Sequence, residues 1–141
     1  MIVHRLARPM LAAVFVVSGV NTLRNPEKNI KAATPLVEKA VARAGDKLPE
    51  QVPTDPATIV RIDAGLKVVA GLGMALGRFP RFSALVLALN LVPTTVAGHA
   101  YWEHEDPANR AAQRTHFLKN LGLLGGLLAV AGGPGKRQTA E

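Results

Sequence analysis

Seven side chains able to hold, donate or accept protons stand within or at the edges of segments that are otherwise apolar: Asp63, Lys67, His99, Glu103, His116, Lys119 and Asn120. Asp63 and Lys67 are four apart, so on a helix they share a face and neutralise each other. Thr95, His99 and Glu103 repeat that interval after Asn90 and Thr94, while Gln113, His116 and Asn120 form another stripe with Lys119 beside it. A tight turn around Glu105 makes the last two helices antiparallel neighbours, with His99 level with Arg110–Gln113 and Thr95 level with His116. These groups would then converge into one polar pocket that three chemistries could use. His and Lys can donate to the carbonyl oxygen of a quinone-type headgroup while a carboxylate handles protons. His99, Glu103 and His116 can ligate a metal, since His-x-x-x-Glu places both ligands on one helical face. His99 and His116 can hold a haem from two facing helices. A fourth reading needs no ligand: the polar groups bond across helices and fix their order. Nucleophilic catalysis finds no support, because Ser18 and Ser83 lack a His or acid at a useful spacing.

The elements that must carry these groups are four apolar stretches, about residues 6–23, 59–76, 82–100 and 117–133. Each runs to roughly 17–19 residues, near the lower limit for crossing a hydrocarbon core about 30 Å thick. A backbone in lipid must satisfy its own hydrogen bonds, so four such stretches mean four helices. The expected fold is therefore all-α and single-domain: an integral membrane four-helix bundle, with an extramembrane helix in the 24–58 loop between the first two spans. A water-soluble bundle fits less well, because the 84–91 and 121–133 runs are apolar around nearly the whole helix apart from Asn90. A charge at mid-membrane costs about 2.5–3.5 kcal/mol, so each one needs a reason. Lys67 lies about 16 Å along the helix from Pro56, too deep to reach water easily, and calls for a partner in Asp63 or on another helix.

The totals close off other classes. A net charge of +7 suggests nucleic acid, but one Trp, one Tyr and no dense basic helix argue against such a partner. With no cysteine, disulfides, iron–sulfur clusters and CxxC redox chemistry are excluded, so any electrons must travel on something bound. His4, Arg5 and Arg8 precede an apolar run as in a secretory signal, but no A-x-A site follows and the segment is expected to remain as a span. The mean hydropathy is only +0.17 because charges cluster in 24–55 and 103–114. One end of the bundle would carry Arg5, Arg8, Arg78, Arg81, Lys136 and Arg137 against Glu141. At the other end, bases are nearly balanced by eight acids, from Glu27 to Asp106. Density of Lys and Arg near the helix ends predicts cytoplasmic termini.

Local signals complete the outline. Thr34 as cap, Pro35 at the first position and Gly45 at the end predict a short loop helix whose apolar side, Leu36, Val37, Ala40, Val41 and Ala44, covers the bundle mouth or lies on the membrane surface. Asp55–Pro56 and Asp106–Pro107 predict helix starts, the second about three turns before Phe117. Pro93 removes one backbone bond from the third span. Gly73-x-x-x-Gly77 and Gly122-x-x-x-Gly126 predict close helix approaches and a capacity to self-associate.

Arg5–Phe15, Ser18–Gly19 and Leu23-Arg-Asn-Pro26 resemble the first helix of the DoxX family. Gly77–Arg81, Leu91–Thr95 with His99, and His116–Asn120 followed by Leu-Gly-Leu-Leu-Gly-Gly resemble the longer DoxX-like proteins of actinobacteria. The resemblance implies a four-helix protein of the bacterial inner membrane. It also implies association with membrane oxidoreductases or detoxifying enzymes, such as thiosulfate–quinone oxidoreductase or a complex with superoxide dismutase and a sulfurtransferase. Lys119 and Asn120 match a recurrent Lys-Asn pair. Some members carry an acid further into the second span, where this chain has Lys67 or small residues.

Overall fold

The computed structural model describes residues 2–133, with side chains from residue 5; His4 and the basic and acidic residues expected at the cytoplasmic end, Lys136, Arg137 and Glu141, fall outside the described side chains. Five helices follow one another: α1 (Ile2–Arg24), α2 (Glu27–Ala44), α3 (Pro56–Ala75), α4 (Pro80–Gly98) and α5 (Pro107–Gly132). Short 3₁₀ turns occupy Gly45–Lys47 and Tyr101–Glu103, and the described residues contain no strand.

Both aspartate–proline signals form the starts they predict. Asp55 accepts from the Thr58 backbone N–H and Asp106 from that of Asn109, each at 2.9 Å, with proline in the first turn. The loop helix is longer than expected. It starts at Glu27, two turns before Thr34, because Pro26 already sits at helical angles and Glu27 favours a first turn. Pro35 is therefore an interior residue, and Thr34 Oγ1 bonds back to the Ile30 carbonyl at 2.7 Å instead of capping. Gly45 ends the helix as predicted, at φ 51°.

The long helices pack as neighbours in the order α1, α3, α4, α5, with a smaller contact between α1 and α5. The most extensive contact, α1 on α3, depends on glycines the repeat pattern did not pick out. A Cβ on Gly19 would stand 2.6 Å from the Ala64 carbonyl, and one on Gly71 would stand 2.7 Å from Val16 Cγ2. The expected glycine pairs behave differently. Gly77 makes the turn after α3 at φ 69°, and Gly122 has open space before it. Gly73 faces Ser83 and Gly126 touches Leu11. Spacing alone gives the face a glycine lies on, and packing decides whether anything meets that face.

The apolar core holds Ala12, Phe15, Ala70, Met74, Leu87, Leu91 and Leu127 with small residues between them. It fills the half of the bundle next to the 77–79 turn. There the Arg81 guanidinium donates to the Gly133 carbonyl and ties the start of α4 to the end of α5. At the other end α2 packs on α3 and α4, and Asn29 bonds Thr22 of α1 at 2.9 Å. No residue of α2 is buried.

Outside, each long helix presents apolar side chains to its surroundings. Met10 is 73% exposed, Val69 71%, Phe82 70% and Leu89 75%, and on α5 Leu118, Leu121 and Leu128 are also open. Two of the four expected spans, Arg5–Arg24 and Pro80–Glu103, are long and apolar enough by themselves to cross a membrane. The other two are interrupted by polar side chains, Arg61, Asp63 and Lys67 on α3 and Lys119 and Asn120 on α5.

Candidate functional site

Lys67 is 5% exposed, so its ammonium must find partners within the protein. It donates to Asp63 Oδ2 at 2.6 Å across one turn of α3 and reaches Thr94 Oγ1 on α4 at 3.4 Å. Thr94 donates in turn to the Asn90 carbonyl at 2.8 Å, and the Asn90 amide donates to the remaining oxygen of Asp63. Both carboxylate oxygens are thus engaged. The other end of the Asn90 amide, Oδ1, is buried with no donor.

On the residue next to Thr94, Thr95 Oγ1 accepts from Asn120 at 2.9 Å, joining α5 to α4 in a buried contact. Beyond it, α4 stops at Gly98 and His99 becomes the residue after the helix. Its Nδ1 lies 2.7 Å from Gln113 Oε1, an acceptor, so Nδ1 carries the proton and Nε2 stays open. The rings of His99 and His116 stack with centroids 5.0 Å apart and planes 20° from parallel. His116, just before the apolar stretch of α5, is held below the ordinary imidazole value, first by desolvation and then by the charges of His99, Lys119 and Lys28. Neither His116 nor Lys119 has a hydrogen-bond partner among the described residues, and both are exposed.

The seven candidate residues therefore divide into groups instead of meeting at one point. Asp63 and Lys67 pair with each other. Asn120 bonds Thr95, and His99 meets His116 with Lys119 alongside. Glu103 is exposed on the 3₁₀ turn, away from the face expected for it, because the helix that would have carried His99 and Glu103 together ends at Gly98. Among the described residues no three His, Asp or Glu side chains stand together as a metal site would need. Two imidazoles stacked face to face also do not point their nitrogens at a common iron from opposite sides, as axial haem ligands do. His99 is level with Gln113 as expected, but Thr95 faces Asn120, one turn further along α5 than His116.

Asn90 and Thr94 complete the Asp63–Lys67 network, although sequence reasoning did not count them among the site residues. Their polar types inside the most apolar stretch of α4, four residues apart, were the available signal. Lys28, from the start of α2, carried no comparable signal, since only the fold brings it towards His116.

No curated protein and no solved structure matches the chain. A family model described as DoxX matches residues 4–100, all but the first two residues of α1 and the whole of α2 through α4, and stops before α5 with His116, Lys119 and Asn120. With that match over more than half its length, the chain belongs to the DoxX family.

Proposed function

We propose that this DoxX protein is a four-span protein of the bacterial inner membrane. In this reading it is an accessory subunit of a membrane-associated oxidoreductase or redox-protection complex, and it presents a quinone-type site at the α2 end of the bundle. The membrane part is supported by an inversion of polarity: apolar side chains face outward on all four long helices, while Lys67, Thr95 and Asn120 are buried between them. α3 and α5 then cross despite their polar residues, because those on α3 are largely paired internally and Asn120 bonds α4. The termini are cytoplasmic.

The observation that favours a ligand site is the difference among the polar groups. Asp63 and Lys67 are consumed by their own network, whereas His116 and Lys119 remain available as donors to a carbonyl headgroup and the Nε2 of His99 as an acceptor for a ligand hydroxyl. With no cysteine in the chain, redox equivalents would reside on the ligand or on a partner enzyme. A second reading, a purely architectural scaffold, is favoured by the network itself, since interhelical bonds of this kind fix helix order without any ligand.

Purification in mild detergent tests both. The accessory reading expects an oxidoreductase or detoxifying enzyme to co-purify, and ubiquinone or menaquinone to bind in about one equivalent, with binding lost in His99→Ala and Lys119→Ala at unchanged stability. Absence of both co-purification and quinone binding, with variants that differ only in stability, overturns it in favour of the scaffold. A chain that stays monodisperse in buffer without detergent overturns the membrane reading itself.

A further inference from the structure

At the start of α5, on the surface, Arg110 and Arg114 stand one turn apart beside Tyr101. Together with Pro107 and Ala111 they line an open hollow of about 440 Å³. Among the described residues the only ion pair is Asp63–Lys67, so both guanidinium groups lack a carboxylate partner. The nearest acid in sequence, Asp106, is already occupied in capping Asn109.

What surrounds the hollow has the composition of a membrane–water boundary. Tyr101, Trp102 and Phe117 form a cluster of edge-to-face rings with centroids 5.2–5.9 Å apart. Aromatic side chains with one polar end concentrate at headgroup level. Below the arginines, Leu118 and Leu121 are exposed and continue the same helical face at the intervals 110, 114, 118, 121. Two cations with no carboxylate partner thus stand at the end of an apolar strip.

We propose that this hollow binds the phosphate headgroup of an anionic phospholipid, with Arg110 and Arg114 on the phosphate oxygens, Tyr101 beside it, and an acyl chain along Leu118 and Leu121. Charge complementarity selects the headgroup, since arginine's forked donors match phosphate oxygens in pairs. The apolar strip selects a lipid over a free anion. The site rests on the membrane reading but not on the quinone or accessory roles.

The test uses the full chain in neutral detergent, with phosphatidylglycerol, phosphatidylcholine or inorganic phosphate added, read by native mass spectrometry and by thermal unfolding. Phosphatidylglycerol should be retained and should raise the midpoint, while phosphatidylcholine and phosphate should do neither. Arg110→Gln/Arg114→Gln should weaken retention about 25-fold, at roughly fivefold for each guanidinium near an anionic surface. Lys39→Gln/Arg43→Gln, which removes equal charge from the exposed face of α2, should leave it unchanged. Equal retention of phosphatidylcholine, equal protection by inorganic phosphate, or equal losses in the two double variants would each overturn the proposal. A protein that requires detergent yet shows no lipid preference loses only this inference, whereas one dispersed in plain buffer loses the membrane reading as well.

Discussion

The two halves of the bundle are held together by different forces. Next to the 77–79 turn, Met74, Leu87 and Leu127 are fully buried among alanines, and the fit of apolar surfaces is nearly all that joins the helices. Towards α2, hydrogen bonds link α3 to α4 and α4 to α5, the first of them made by the two members of an ion pair within α3. In a bilayer, lipid tails are as apolar as Leu, so the first half coheres only by packing better against protein than against lipid. The second half coheres because the alternative is an unsatisfied polar group in hydrocarbon. The first should tolerate changes that keep volume, and the second should not tolerate losing one partner from a pair.

The largest effect expected is at Asp63. Asp63→Ala leaves the buried Lys67 ammonium with only the long contact to Thr94 and strips Asn90 of its acceptor. Removing one partner of such a pair costs about 3–5 kcal/mol, whereas replacing both with apolar groups of similar size is often neutral. Denaturant unfolding in detergent should therefore show a large loss for Asp63→Ala and recovery of most of it in Asp63→Leu/Lys67→Met. A single variant no worse than a change at exposed Val69 would break the contrast between the halves.

Leu87→Ala is the matching test in the apolar half. Truncating a fully buried leucine costs about 2–5 kcal/mol through lost contacts and the cavity left behind. Leu87→Met, which conserves volume, should cost less than about 1.5 kcal/mol in the same assay. Sensitivity to Met as great as to Ala would mean that this half, too, depends on exact fit.

Asn120→Leu comes next. It removes the bond to Thr95 but leaves an apolar side chain of similar bulk. Interhelical hydrogen bonds in membranes average about 0.6 kcal/mol and reach about 1.7, so the expected loss falls in that range. A loss comparable to that of Asp63→Ala would show that α4 and α5 rely on one bond as heavily as α3 relies on its ion pair.

How far the sequence revealed these halves follows from what sequence spacing encodes. Asp55–Pro56 and Asp106–Pro107 were legible because a cap is a local bond between neighbours in the chain. The Asp63–Lys67 pair was legible for the same reason, as one turn of one helix. The grouping of Glu103 with His99 was not, because it assumed the helix continued past Gly98, where the chain turns into a 3₁₀ segment. The start of α2 was misplaced because Pro35 reads as a first-turn residue, although one lost N–H bond within an 18-residue helix does not end it. Rise per residue gave depth well enough to set His99 beside Gln113, yet Thr95 met Asn120 instead of His116. Which faces of two helices meet is decided by the close approach at residues such as Gly19 and Gly71, and no periodicity in the sequence distinguishes those glycines from Gly122.

The smallest effect expected is also the one that separates the halves without changing their packing. His116 is held below its ordinary value of 6.5 by desolvation, and its surroundings offer only positive charge: His99 at the end of α4, Lys119 on its own helix and Lys28 from α2. The folded protein therefore binds fewer protons at this ring than the unfolded chain does, and stability rises with pH wherever that holds. The stability that His116 contributes as a neutral ring is complete well above pH 6.5. It is lost as pH falls through that value towards the lowered folded value, and below both it falls no further. Unfolding midpoints measured from pH 8 to pH 5 should show this decline in the native chain and a flatter profile in His116→Gln. Leu87→Ala, which acts in the apolar half, should shift the whole curve downward and keep its shape. A decline that persists undiminished in His116→Gln would assign the pH dependence to another group and remove the histidine pair as the feature that makes one end of this bundle respond to protons.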